Sequence, residues 1–135
     1  MLATGYTLSA TTELSFADAV ERVRDELEAE GFGVLCDIDV RATLKEKLDV
    51  EGEPYVILGA CNPLLAHRAL GAEPELGTLL PCNVVVYRGD DGTHIAAVDA
   101  ERMLSIVGND ELRPIAADVR AKLARVIERA SDARR

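Results

Sequence analysis

Two cysteines sit where apolar stretches meet turns, and each is followed by asparagine: Gly59-Ala60-Cys61-Asn62-Pro63 and Leu79-Leu80-Pro81-Cys82-Asn83. Asn62-Pro63 has the form of a helix start, with asparagine as N-cap and proline in the first helical position. The first turn of a helix leaves backbone N–H groups unpaired, and its dipole favours negative charge. A thiol beside such a start tends toward thiolate, hence toward nucleophile or metal ligand. The same N–H groups can hold a phosphate or a carboxylate. Cys61 is therefore the candidate catalytic residue, and Cys61, Asn62, Pro63 and Cys82 form a candidate ligand-binding set. Cys61 and Cys82 are also the candidate ligands for a soft metal ion. Their separation is too long for a Cys-x-x-Cys redox or zinc motif. The alternative is that both thiols are simply packed at strand ends, and for Cys82, which alternates with Val84 and Val86, burial is the expectation.

The remaining reactive residues read differently. Cys36 alternates with Phe32, Val34, Ile38 and Val40 on one apolar face, which predicts a small core residue. His67 falls in the helix after Asn62-Pro63, more than a turn from Cys61, and His94 alternates with Ala96 and Val98. Both are expected as satisfied or exposed histidines rather than ligands. Asp37 and Asp39 share a strand face and read as a solvent-facing edge. The sequence has no G-x-G-x-x-G, Walker, H-E-x-x-H or G-x-S-x-G pattern, and no specific cofactor is implied.

Several elements must position these residues. Gly5–Ser9 is a plausible first strand, with Tyr6 and Leu8 on one face. Ser15, with Asp18 three residues on, is the N-cap of a helix carrying Phe16, Ala19, Val20, Val23 and Leu27 at helical spacing and stopping at Gly31. Phe32–Val40 alternates as a strand, Arg41–Leu48 suits a short helix, and Tyr55–Cys61 is a nearly all-apolar strand. The Asn62-Pro63 helix runs to Gly71, and residues 72–77 form a loop. Asn83–Tyr87 and His94–Val98 flank an Asp91-Gly92 hairpin turn. Asp99 can cap a short helix, and a last helix begins near Glu111 with an apolar stripe from Leu112 to Ile127. The order β-α-β-(short α)-β-α-β-β-α predicts an α+β domain: a two-layer sandwich of antiparallel-rich sheet with helices on one face.

Composition bounds the rest. A chain of 135 residues suits one domain, 1–135, with a frayed tail at 131–135. The net charge of −9 opposes nucleic acid and anionic membranes, and only three of the fifteen basic residues are lysines. Two phenylalanines, three tyrosines and no tryptophan argue against a base-stacking platform. No apolar run is long enough to cross a bilayer and no signal peptide is evident, so a cytoplasmic location is expected, with the three cysteines reduced.

Gly31-Phe32, Asp39-Val40 leading into Leu44-Lys45, Gly59-Ala60-Cys61-Asn62-Pro63 with Ala66, and Leu80-Pro81-Cys82 together resemble domain-of-unknown-function family 302. The resemblance extends from Tyr6 into the last helix. It implies a two-layer α/β fold with an antiparallel-rich sheet and pairing as dimers, and no particular activity. Three functions are then expected in order. The first is binding of an anionic small molecule or soft metal ion between the Cys61-Asn62-Pro63 helix start and Cys82. The second is thiol chemistry with Cys61 attacking and Cys82 resolving, and the third is a structural or interaction domain. A homodimer is expected in each case, because two apolar strands need cover on both faces and the helices suffice for one.

Overall fold

The computed structural model describes residues 4–134. Its first helix forms where the capping pattern places it. Ser15 accepts a hydrogen bond from the Asp18 N–H at 3.1 Å and opens α1, Phe16–Ala29. Ala19, Val23 and Leu27 on its inner stripe are fully buried. Gly31, at a φ of 86°, supplies the left-handed residue that turns the chain out of the helix.

Five strands follow the alternation of apolar residues: β1 (Thr7–Thr12), β2 (Gly33–Asp39), β3 (Tyr55–Cys61), β4 (Cys82–Gly89) and β5 (Gly92–Val98). They form one sheet in the order β1-β5-β4-β3-β2, and every neighbouring pair is antiparallel. The remaining helices are α2 (Val40–Leu48), α3 (Pro63–Ala72), α4 (Ala100–Ser105) and α5 (Arg113–Ser131). Short 3₁₀ segments at Pro74–Leu79 and Asp110–Leu112 stand where the sequence predicts a loop and the first turn of α5.

Helices α1 and α5 lie side by side on one face of the sheet. That face presents Val56, Leu58, Val84, Val86, Ile95 and Ala97, which meet in register across β3, β4 and β5. Against them pack Val23 and Leu27 of α1 and Leu123, Val126 and Ile127 of α5. Each side chain of this kind, taken fully out of water, contributes about 1.5–3 kcal/mol before the cost of ordering it. This is the α+β sandwich that the element order predicts. No helix of the described residues is long and apolar enough to cross a membrane.

Among the described residues no helix of this kind covers the opposite face. Reading the register across it gives three transverse rows. The first is Tyr55, Tyr87, His94 and Thr11; the second is Ile57, Val85, Ala96 and Ser9; the third runs through Gly59, Asn83, Val98 and Thr7. Most of these residues are only half-buried, and Asn83 and Thr11 are exposed.

Two elements depart from the sequence reading. Strand β1 begins at Thr7, so Tyr6 precedes it and is 64% exposed instead of sharing a buried face with Leu8. In β2 the pairing with β3 skips a residue between Val34 and Cys36. Leu35 is the extra residue of this β-bulge, and it moves every side chain after it to the other face of the sheet. Val34 therefore faces the helices, whereas Cys36 and Ile38 lie on the uncovered face.

At the end of the chain α5 runs through Ser131, and the Arg22 guanidinium donates to the Asp132 carbonyl at 2.9 Å. Arg135, part of the expected frayed tail, lies outside the described residues.

The two large helices are also joined by charge. Glu30, the C-cap of α1, accepts from Arg125 Nε at 3.0 Å, Arg125 Nη2 at 2.8 Å and Arg129 Nη1 at 3.3 Å. The Arg125 hydrogen bonds hold the Glu30 carboxyl below its ordinary pKa. A depressed carboxylate contributes stability above its unfolded value and loses that contribution as the pH falls through the folded one. Replacing Glu30→Gln should lower stability by about 1 kcal/mol at pH 7. Urea unfolding at a series of pH values checks this: the gap between wild type and variant should close as the pH is taken below 4.5.

Candidate functional site

The end of β3 and the start of α3 are built by the residues that mark them in sequence. Cys61 is the last residue of β3, and Asn62 is the N-cap of α3. The Asn62 Oδ1 accepts from the Leu65 N–H at 3.2 Å, and the Asn62 carbonyl accepts from the Ala66 N–H at 2.9 Å. Pro63 has no N–H to give. Leu64 N–H is what remains of the first turn for an external anion, so the helix start is largely satisfied by its own residues.

Next to this start, between α3, the 3₁₀ segment, the sheet end and α5, lies a cavity of about 310 Å³. Its sheet wall is Ala60, Cys61 and Cys82. Its helical walls include Leu65, Ala66 and Ala69 of α3 together with Ile115 and Val119 of α5. Phe32 and Leu35 close one side, and Leu76, Leu80 and Pro81 close another. No charged side chain lines it. The fold thus brings Cys61, Asn62 and Cys82 to one cavity, while Pro63 is exposed at the helix start and stays out of the lining.

The thiols differ in kind. Cys82 is buried beside Val84, as its alternation predicts. Burial, and next to it the negative charge available to Cys61, pushes the Cys82 thiol up to about 11. It is therefore protonated at neutral pH, which suits neither a resolving thiolate nor a soft-metal ligand. Cys61 is half-buried at the cavity edge. Among the described residues no group of three His, Cys, Asp or Glu side chains could hold a metal ion.

Cys36 overturns its sequence reading: it is exposed, not a core residue. The Leu35 bulge is the cause. Its sulfur lies over Gly59, where an added Cβ would come within 2.5 Å of Cys36 Sγ and 2.8 Å of the Pro81 ring. Leu35 itself is 67% exposed and reaches the cavity mouth.

Neither histidine joins the cysteines. His67 is exposed on α3. His94 is buried on the other sheet face, with Nε2 2.6 Å from Asp91 Oδ1 and Nδ1 3.4 Å from Thr11 Oγ1. Its hydrogen bond holds the Asp91 carboxyl below the ordinary range. The His94 ring stacks on Tyr87 with centroids 4.8 Å apart, and Tyr87 stacks on Tyr55 at 5.3 Å. Part of this row was within reach of the sequence. A tight turn at residues 90–91 sets Gly89 opposite Gly92, and counting outward sets Tyr87 opposite His94. Asp37 and Asp39 prove structural: Asp37 pairs with Arg24 of α1, and Asp39 caps α2 through the Ala42 N–H at 2.9 Å.

The family model for the domain of unknown function DUF302 matches residues 8–130. Among solved structures the chain is similar to an uncharacterized conserved protein DUF302 from Bacillus stearothermophilus, at 31% identity and a TM-score of 0.88. That likeness covers 94% of this chain and 99% of the other. No curated protein matches the chain.

Exposure, with the raised pKa of the Cys82 thiol beside it, fixes an order of reactivity. Under native conditions near pH 7, iodoacetamide should modify Cys36 first, Cys61 more slowly, and Cys82 only after unfolding. Peptide mapping by mass spectrometry over a time course reads the three rates. Native labelling of Cys82 at the rate of Cys36 would contradict the burial described for it.

Proposed function

We propose that this chain, which belongs to the DUF302 family, is a cytoplasmic binding domain whose cavity beside α3 takes an apolar small molecule. The observation that carries this reading is the cavity lining: aliphatic and aromatic side chains throughout, with Asn62 and the two thiols as its polar groups. Its volume of about 310 Å³ is at the lower end of small-molecule sites, which begin near ~300 Å³. The ligand is an alkyl chain or a compact ring with at most one polar end. Burying about 200 Å² of such a ligand gains about 5 kcal/mol before the cost of immobilising it.

The anion and soft-metal alternatives have less support. An anion would meet no cationic side chain in the lining, beside a helix start that already satisfies itself. A soft metal needs thiolates, and Cys82 is held protonated by burial. Thiol catalysis by Cys61 lacks a base, since neither histidine lines the cavity.

Medium-chain alcohols such as 1-octanol should raise the melting temperature, and the rise should persist in a Cys61→Ser, Cys82→Ser double variant. Ala66→Phe, which places a ring in the cavity, should abolish it. Stabilisation by phosphate or Zn²⁺ that disappears with the cysteines, with no response to the alcohol, would restore the anion or metal reading.

A second observation favours a partner as well as a ligand. The uncovered sheet face carries Tyr55, Ile57, Val85, Ala96 and Val98, and none of the 24 acidic or 15 basic residues lies in its three rows. Such a face suits a second copy of the chain, which would otherwise be repelled by a charge of −9. Sedimentation equilibrium at tens of micromolar should give the dimer mass in low and high salt, and Val85→Asp should return the monomer. Monomer mass for the wild-type chain in both salts would refute the dimer.

A further inference from the structure

We infer that Asn62 selects the ligand of the cavity beside α3: its amide N–H donates to an acceptor oxygen, a carbonyl above all, at one end of an otherwise apolar molecule. This rests on the reading of that cavity as an apolar ligand site. The ligand class narrows accordingly, from any alkyl chain or ring to ketones, esters and similar compounds that enter tail first.

The assignment follows from what the two arms of the amide can do. An oxygen is needed to accept from the Leu65 N–H, at 3.2 Å, so that bond identifies Oδ1 and leaves the NH₂ group on the other arm. Among the described residues this NH₂ has no hydrogen-bond partner. It lies against the turn that ends α1, where a Cβ added at Gly31 would stand 3.2 Å from Nδ2. Glycine at that left-handed position both turns the chain and leaves the amide its room. Nothing else in the lining compares. Besides Asn62, its polar side chains are the Cys61 and Cys82 thiols, weak as donors and as acceptors. The backbone N–H groups of Leu65, Ala66, Leu76 and Leu80 are already paired. The cavity thus presents one strong free donor, while the one side-chain oxygen in its lining is engaged as a helix cap. Position gives the orientation. Asn62 is half-buried beside Cys61 at the cavity edge, whereas Leu76, Leu104, Ile115 and Val119 are buried walls. The oxygen stays near the edge and the tail points inward. A site that hydrogen-bonds its ligand rejects an analogue without the partner more sharply than an aliphatic wall sorts by size.

Asn62→Asp tests this without removing the cap. Aspartate serves as well as asparagine at an N-cap, and its carboxylate still accepts from the Leu65 N–H, but it has no hydrogen to donate. A ketone can accept but not donate, whereas an alcohol can do both, so the variant tells the two apart. Dissociation constants for 2-octanone and 1-octanol are read from the concentration dependence of the melting temperature at pH 7. The variant should bind 2-octanone about fivefold or more weakly than wild type, the measure of one net hydrogen bond. It should bind 1-octanol at least as tightly, because the hydroxyl can turn to donate to the carboxylate. Asn62→Ser replaces it if it does not fold. That shorter cap withdraws the donor from both compounds, which should then weaken against 2-methyl-1-octene, the ketone's shape without its oxygen. With either variant, equal changes across the compounds, or none, overturn the role of Asn62 and leave the apolar site standing. A wild-type melting temperature that neither 2-octanone nor 1-octanol raises overturns the reading beneath it.

Discussion

A β-sheet has two faces, and this chain supplies helices for one. Residues that alternate along β3, β4 and β5 are apolar in both phases: Val56, Leu58 and Ala60 point one way, Tyr55 and Ile57 the other. Helices α1 and α5 bury the first set to near zero exposure. The second set has its own neighbours and, beside them, Thr4 and Tyr6 of the segment before β1, and in the stack of Tyr55, Tyr87 and His94 those neighbours shield one another. Charge follows the same division. Acidic residues crowd the helices and loops and are absent from the open rows, so the face able to approach another copy is the one that carries no repulsion.

The cavity has a related origin. Helices α1 and α5 cover the sheet's middle, but at the end formed by Cys61 and Cys82 the cover passes to α3 and a 3₁₀ segment. Their residues along the cavity include Ala66, Ala69 and Gly77, which are small. Small side chains beside a strand end leave space that Leu65, Leu76 and Leu80 line without filling. An empty apolar space forfeits dispersion contacts on every wall. A fold that keeps one, with its mouth marked by an exposed leucine at a bulge, has either an occupant or a cost in stability of some size.

Most of the architecture was legible because it rests on local chemistry. Ser15, Asn62 and Asp99 cap the helices their side chains announce, and β3 has the limits its apolar run gives it. What escaped was non-local. The apolar alternation of Phe32, Val34, Cys36 and Ile38 looked unbroken, and nothing in it marks Leu35 as the residue that the pairing with β3 leaves out. One skipped partner changed Cys36 from a core residue to an exposed one. The meeting of Cys61 with Cys82 was readable only as a possibility, since antiparallel pairing of Ala60 with Cys82 is a property of the sheet and of neither strand alone. The cavity walls from α5 could not be read at all, because Ile115 and Val119 look like any other core stripe.

The position of β1 bears on how the chain reaches this state. Of the five strands it is made before the others, yet its partner in the sheet is the last of them: Thr7 pairs with Val98 and Thr12 with Thr93. Strands β2 to β5, by contrast, each pair with the next in sequence. During synthesis β2 to β5 can pair in turn, the longest gap between them being the α3 and 3₁₀ segment, whereas β1 must wait, unpaired, until more than eighty residues have followed it. Its composition suits that wait. Thr7, Ser9, Thr11 and Thr12 make it a polar strand with one committed apolar anchor, Leu8, so the segment exposed longest is also the one least inclined to associate with a neighbour on the ribosome.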